Sequence, residues 1–228
     1  VAGNASASDF PTTAGVVFPT RPVGSFPGYI ARLSTDLSTL ESATYLAGHV
    51  RDPKIRARSG SIYFAAGTLD PAFPTTAGAF DTSFNGGTLG DMAIAQLSLD
   101  LTQLQAGTFL GGSSNEVFFD VETYSGVTDS MICVVGDTQS SNYPTTPGAF
   151  DTTINGSNLD AVISCLSLGL TQLKGSTFYG TTGIESAVGL AMMPDGVLFR
   201  GIAVVGTSGS TNLPAMTGFQ TSGLGGTD

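Results

Sequence analysis

The sequence lacks the residues on which several common kinds of site depend. Its 228 residues include no tryptophan, one histidine and two cysteines. Structural zinc sites need four cysteine or histidine ligands at short spacings, so we predict no metal site of this type. The motifs G-x-S-x-G and G-x-x-x-x-G-K-[ST] are missing too. The sequence therefore offers neither a catalytic constellation nor a cofactor-binding motif.

Positive charge is scarce as well. Eight lysine and arginine residues stand against 18 acidic residues, which gives a net charge of −10 and argues against a nucleic-acid partner. Half of the basic residues form one run, Arg51, Lys54, Arg56 and Arg58. We interpret this run as a solvated or edge-protecting face rather than an anion site. No stretch of about 18 apolar residues occurs, so we predict no membrane span.

What the sequence has in abundance favours β-structure. Apolar residues make up 41% of the chain, charged residues only 11%, and there are 31 glycines. Together with many serines and threonines, this composition is typical of short strands joined by tight turns. We predict an all-β protein.

One motif organises the chain. The stretch FPTTAGAFD at 73–81 returns as YPTTPGAFD at 143–151 and, in weaker form, as FPTTAGVVF at 10–18 and LPAMTGFQT at 213–221. Its prolines are 63, 70 and 70 residues apart. Such a period indicates that one structural unit is repeated.

Each unit contains segments for four strands. The motif is followed by alternating segments such as DMAIAQLSLDLTQL at 91–104 and by a short β-like stretch, and it is preceded by segments such as MICVVGDT at 131–138. Asp195-Gly196 predicts a hairpin between the first two strands of a unit. Four antiparallel strands in a repeated unit are typical of a β-propeller blade. The predicted boundaries are 1–48 for a partial blade, 49–112 and 113–181 for two full blades, and 182–228 for a second partial blade.

These motifs resemble a known repeat. A Leu110-Gly111-Gly112 strand end, and a V-x-G-x-T strand leading to F-P-T-T-x-G-A-F and D-A-x-x-x-x-L, are similar to the SBBP family of bacterial and archaeal β-propeller repeats. The resemblance implies a secreted or cell-surface module, and the family supplies no catalytic residues to transfer. The chain holds about three blade equivalents and both ends fall in mid-blade. We therefore expect either a segment of a larger propeller or blades completed by another chain.

The repeated loops have two interpretations. Proline, glycine and the threonine hydroxyls can all serve to shape the loop itself, which is the interpretation we favour. Alternatively, Thr75, Thr76, Thr145 and Thr146 line a rim that binds a ligand such as a glycan. Acidic and amide residues after the motif lack the close spacing of a calcium loop, so we predict no metal there. They are Asp81, Asp91, Asp151, Asn155 and Asp160.

Two further features bear on location. Sequons place glycosylation candidates at Asn4 and Asn155. Cys133 and Cys165 form a disulfide in one alternative and remain free thiols in the other, which the sequence favours. Our functional hypothesis is a non-enzymatic extracellular scaffold, adhesion or assembly module without cofactors, whose partners are other copies or flanking blades. The alternatives are a carbohydrate-binding propeller and a non-catalytic segment of a larger secreted hydrolase.

Overall fold

The computed structural model describes residues 1–126, 129–156, 159–195 and 198–213. Within these ranges the chain forms strands and turns and no helix, which confirms the all-β class. Accordingly, no helix in the described ranges is long and apolar enough to cross a membrane. The motif copy at Pro214 and Gly196 of the predicted hairpin lie outside the described residues.

The described strands form four antiparallel sheets, each with its strands in chain order. The first sheet contains β1 (Ala2–Asn4), β2 (Gly28–Leu33) and β3 (Leu40–Tyr45). The second contains β4 (Val50–Arg58), β5 (Ser61–Thr68), β6 (Asp91–Ser98) and β7 (Leu104–Leu110). The third contains β8 (Glu116–Ser125), β9 (Ser130–Thr138), β10 (Asp160–Ser167) and β11 (Leu173–Tyr179). The fourth contains β12 (Glu185–Asp195) and β13 (Leu198–Ser208).

Strand register shows that the sheets are copies of one design. A bulge interrupts each first strand at the same place, after Arg51, Phe118 and Ala187. A second bulge lies between the third and fourth strands, after Arg32, Gln96 and Cys165. By these registers β1–β3 correspond to the second, third and fourth strands of a unit, and β12–β13 to the first and second.

The hydrophobic core lies between neighbouring sheets. Met92 and Ile94 of the second sheet share one buried cluster with Val121 and Ile132 of the third. Every residue of β5 is buried because the strand is covered on both faces. The sheets therefore depend on their neighbours for burial.

A leucine in the turn between the third and fourth strands joins successive units. Leu37, Leu101 and Leu170 all have a left-handed backbone, with φ of 60°, 60° and 56°. Leu101 and Leu170 are fully buried, and their carbonyl oxygens accept hydrogen bonds from Val17 N (2.9 Å) and Phe80 N (2.8 Å) in the motif loop of the preceding unit. Leu37 is instead 74% exposed. We call the leucine at this turn position the plug, and we call the motif-loop residue whose N–H binds its carbonyl oxygen the socket.

Because Leu170 is a buried plug and Leu37 an exposed one, the same substitution should have different effects at the two positions. Leu170→Ala should lower the free energy of unfolding by about 3 kcal/mol through the cavity that it leaves. Leu37→Ala, with the same backbone conformation, should cost less than about 0.5 kcal/mol. Urea unfolding of the two variants measures both values, and equal losses would contradict the assignment.

Cys133 and Cys165 form a disulfide between neighbouring strands. They are direct partners in the register of β9 and β10, with Cα atoms 4.0 Å apart. That separation belongs to a non-hydrogen-bonded pair of antiparallel strands, where side chains come closest. Two free thiols were the favoured sequence interpretation, which is wrong because the pairing register could not be read from the cysteines alone.

Loss of this disulfide should destabilise the protein, because the bond closes a chain segment with a sequence separation of 32. We expect the double variant Cys133→Ala, Cys165→Ala to lose about 3 kcal/mol of unfolding free energy. Reduction of the wild-type protein in urea should give a similar loss, whereas reductant should leave the double variant unchanged.

Candidate functional site

The N-terminal, threonine-rich end of the motif pairs with the fourth strand, which is the outer strand of its own sheet. Thr146 N donates to Ser176 O (3.1 Å), and Ser176 N donates to Thr146 Oγ1 (3.0 Å). Thr76 makes the same exchange with Gly107, at 3.0 and 3.2 Å. The second threonine of the motif therefore satisfies backbone groups at the edge of the fourth strand.

The other end of the motif is fixed in the same way. Asp151 N donates to Thr177 Oγ1 (2.9 Å), whose hydroxyl donates to Asp151 O (3.0 Å). Asp81 and Thr108 repeat this arrangement. Thr75 and Thr145 are half-buried within these anchored loops. A ligand-binding rim made by the four threonines stays a prediction, and the contacts of Thr76 and Thr146 give the motif a structural role.

The polar residues after the motif hold the next loop. Asn155 Nδ2 donates to Asp151 Oδ2 (2.6 Å), and Asn155 N donates to Asp160 Oδ2 (2.8 Å). Across the described ranges no group of three or more His, Cys, Asp or Glu side chains could hold a metal ion.

Both sequon amides are engaged in hydrogen bonds. Asn155 Nδ2 contacts Asp151, and Asn4 Nδ2 donates to Val50 O (2.8 Å) and Phe26 O (3.2 Å). Attachment of a glycan would leave each amide nitrogen with one N–H, so one of the two hydrogen bonds that it donates would be lost. Ser157 of the second sequon lies outside the described residues.

Ion pairs connect the first strands of neighbouring sheets. On β8, Asp120 Oδ1 lies 3.4 Å from Lys54 Nζ and 3.3 Å from Arg56 Nη2 of β4. Arg56 Nε also lies 2.8 Å from Glu122 Oε1. The second oxygen of Asp120 accepts a hydrogen bond from Leu190 N of β12 (3.2 Å). One carboxylate thus connects three sheets.

The basic run on β4 therefore has a role that sequence analysis did not assign. β4 is an edge strand of its sheet, as an edge-protecting face requires. Lys54 and Arg56, however, pair with acids of the next unit. By register Lys54 corresponds to Asp120, and Arg56 to Glu122, so the charge is reversed between successive units. Aligning the repeats by strand register, 66 residues apart, is the signal that could have revealed it.

Buried carboxyl groups occur where neighbouring sheets meet. Asp91 and Glu116 have no exposed surface, and neither does Asp160, while Glu185 is 2% exposed. Burial raises the pKa of Glu116 to about 7 and that of Asp160 to about 6, and it also raises the pKa of Asp91. None of these residues was singled out from sequence as part of a pair, because each pair joins two units.

Another acid, Asp137, also links the third and fourth sheets. Asp137 accepts hydrogen bonds from Ser186 Oγ (2.9 Å) and Ala187 N (3.2 Å) of β12. Burial nevertheless raises its pKa to about 6. Most ionisable groups in the sheet junctions therefore act as links between units.

No known family model matches the chain, and no curated protein is significantly similar to it. The resemblance to SBBP repeats therefore rests on the motifs themselves.

Because Asp120 links three sheets, its neutralisation should be costly. Asp120→Asn would leave Lys54 without a carboxylate and Arg56 with that of Glu122 alone, and we expect a loss of about 1–2 kcal/mol in the free energy of unfolding. The matched control is Glu41→Gln, which breaks the Arg32–Glu41 pair, whose side chains are 39% and 38% exposed. That change should cost less than about 0.5 kcal/mol. Chemical denaturation at low and high salt checks both values, and an Asp120→Asn loss no larger than the control would contradict the role.

Proposed function

We propose that the protein is a non-enzymatic, extracellular structural or interaction module, a β-propeller array of SBBP-like repeats that associates through its repeat units. The observation that carries this proposal is a contact between successive units that occurs twice among the described residues, while the equivalent apolar side chains of Leu37 and Phe150 are exposed. The propeller arrangement is supported by two antiparallel four-stranded sheets and by the first strand β8, which contacts the first strands β4 and β12 of the neighbouring sheets.

The disulfide supports a location outside the cytoplasm. Disulfides form and persist in oxidising compartments, and they are rare where thiols are kept reduced. Cys133 and Cys165 are both buried, so their bond is a structural link inside one sheet.

One plug and one socket among the described residues have no partner of this kind. Within the chain, Leu101 meets Val17 and Leu170 meets Phe80. The remaining plug, Leu37, is 74% exposed, and the remaining described socket residue, Phe150, is 64% exposed. Two large apolar side chains are thus exposed, whereas in the other copies of the contact the leucine is fully buried and the socket residue is partly buried.

The fourth sheet presents a matching strand edge. Among the described residues, β13 pairs with β12 alone. Val204 and Val205 of β13 are 42% and 64% exposed. A cavity of about 560 Å³ lies between Ala161 and Ile163 of the third sheet and Ile202 of the fourth. The third and fourth strands of a unit would fill this space.

A second copy of the chain supplies those strands. Its β2 and β3 are a third and a fourth strand, and the turn between them carries Leu37. β1, which now covers β2, has only three residues, whereas β13 has 11. In the proposed head-to-tail contact, β13 of one copy replaces β1 beside β2 of the next, and Leu37 enters the Phe150 socket. Such a contact joins different surfaces and builds chains or rings.

Oligomeric state tests this proposal. Light scattering during size-exclusion chromatography should show masses above 23.1 kDa that rise with concentration for the wild-type protein. Leu37→Asp and Phe150→Asp should each keep the protein monomeric, because every copy of a variant lacks the same half of the contact. Val23→Asp is the matched control, since Val23 is 97% exposed and belongs to neither half.

Mixing the two variants gives a sharper result. The Leu37→Asp variant keeps the Phe150 socket, and the Phe150→Asp variant keeps the Leu37 plug. One copy of each can therefore bind the other, so the mixture should form a dimer while each variant alone stays monomeric. A wild-type protein that is monomeric at all concentrations, or association that survives both substitutions, would overturn the proposed contact.

A further inference from the structure

The two buried carboxyl pairs occupy equivalent positions in successive units. In the first pair, Asp91 Oδ2 accepts from Asn85 N (2.8 Å) and Glu116 Oε1 accepts from the Thr138 hydroxyl (2.6 Å). The other two oxygens, Asp91 Oδ1 and Glu116 Oε2, have no hydrogen-bond partner and are fully buried. Both lie against Gly111, where a Cβ would contact the two oxygens at once.

The second pair lies at the equivalent position one unit later and differs in one contact. Asp160 Oδ1 is buried without a partner, whereas Glu185 Oε1 accepts from the Ser208 hydroxyl (2.8 Å) and Glu185 Oε2 accepts from Thr181 N (2.9 Å). A Cβ at Gly180 would lie 2.8 Å from Asp160 Oδ1 and 2.9 Å from Glu185 Oε2. Each pair joins the third strand of one sheet to the first strand of the next.

The first junction supplies an internal comparison. Register places Val50 where the other junctions have Glu116 and Glu185. When the units are aligned on the shared bulge, Pro27 takes the position of Asp91 and Asp160. In the same alignment Ala47 takes the position of Gly111 and Gly180. Both acids and the adjoining glycine are thus replaced together. The two carboxyl groups therefore act as one unit, for which the glycine provides space.

A proton fits this geometry better than a metal ion. Gly86 also packs against Asp91 Oδ1, with its Cβ position 2.6 Å away, so the facing oxygens are enclosed by backbone on two sides. A calcium ion needs six to eight oxygen ligands, and a pair offers two facing oxygens. Two buried carboxylates that face each other without a cation repel strongly unless one of them is protonated.

We propose that Asp91 and Glu116 share one proton in a carboxyl–carboxylate hydrogen bond and that Asp160 holds a proton at the equivalent place one unit later, so that these groups fasten neighbouring sheets together in acid and weaken as the pH rises. The fastening is strongest below the pKa of the unfolded carboxyl groups. It is lost as the pH rises through the higher values of the folded protein, about 7 for Glu116 and about 6 for Asp160. The junctions should therefore be weakest in alkaline solution.

Acidic groups around the pairs also favour protonation of the paired carboxyl groups. Asp81 faces Asp91, and Asp151 faces Asp160, so further negative charge favours the protonated form. Thr138, Ser140 and Tyr143 are the neutral neighbours of the first pair. Arg51 is the cation placed against Glu116, and its guanidinium donates to the carbonyl oxygen of Glu116 (3.4 Å) rather than to the carboxylate.

The test is the number of protons released on unfolding. The slope of unfolding free energy against pH gives this number directly, and each of the two junctions should contribute about one proton near pH 5. Glu116→Gln keeps the shape and can donate from its amide to Asp91, so its slope should fall by about one proton relative to wild type. Asp9→Asn removes the same charge from an exposed residue and should leave the slope unchanged. Asp137 contributes to the slope in all three proteins, so the differences isolate the pair.

Infrared spectroscopy of the folded protein provides a second readout. A protonated carboxyl band should persist at pH 6 in the wild-type protein, with contributions from Asp160 and Asp137 as well, and Glu116→Gln should remove the part of its intensity that the first pair supplies. If Glu116→Gln does not fold, Asp160→Asn tests the second pair in the same way. Equal slopes for wild type and Glu116→Gln, absence of the band at pH 6, or calcium binding that Glu116→Gln abolishes would each overturn the proposal.

Discussion

The structure depends on burial between neighbouring sheets. A single sheet of this repeat has apolar side chains on both faces, and only adjoining sheets can remove both from water. Met92 and Ile94 pack with Val121 and Ile132 across one such junction. The plug leucine and the ion pairs of Asp120 add specific contacts at the same places. A unit of this kind is stable as part of an array and poorly suited to stand alone.

Several features follow from the need to manage strand edges. The motif loop returns along the outer strand of its own sheet, and Thr146 exchanges hydrogen bonds with Ser176 there. That loop then offers the socket to the next unit. The FPTT motif is therefore explained by two tasks, closing one edge and receiving the neighbouring turn. Lys54 and Arg56 solve a similar problem on the first strand, where charge complementarity with β8 directs the contact.

The sequence predicts the local parts of this design well. Alternation and turn residues indicate an all-β chain with strands in repeated sets, because those signals act over a few neighbouring residues. Links between units are different, since Arg56 and Glu122 are 66 residues apart and neither carries a motif. The pairing of Cys133 with Cys165 depends on the register of β9 and β10, which alternation alone does not fix. The carboxyl pairs were missed because an Asp at the start of a strand is ordinarily a turn residue.

The central claim is that the junction between units also forms between copies of the chain. The most direct measurement is cross-linking in the double variant Leu37→Cys, Phe150→Cys, because the equivalent internal contact places Leu170 O only 2.8 Å from Phe80 N. Mild oxidation of the dilute native protein should give a ladder of covalent oligomers on a non-reducing gel, while either single variant gives none. Recovery of monomer alone from the double variant would contradict the claim.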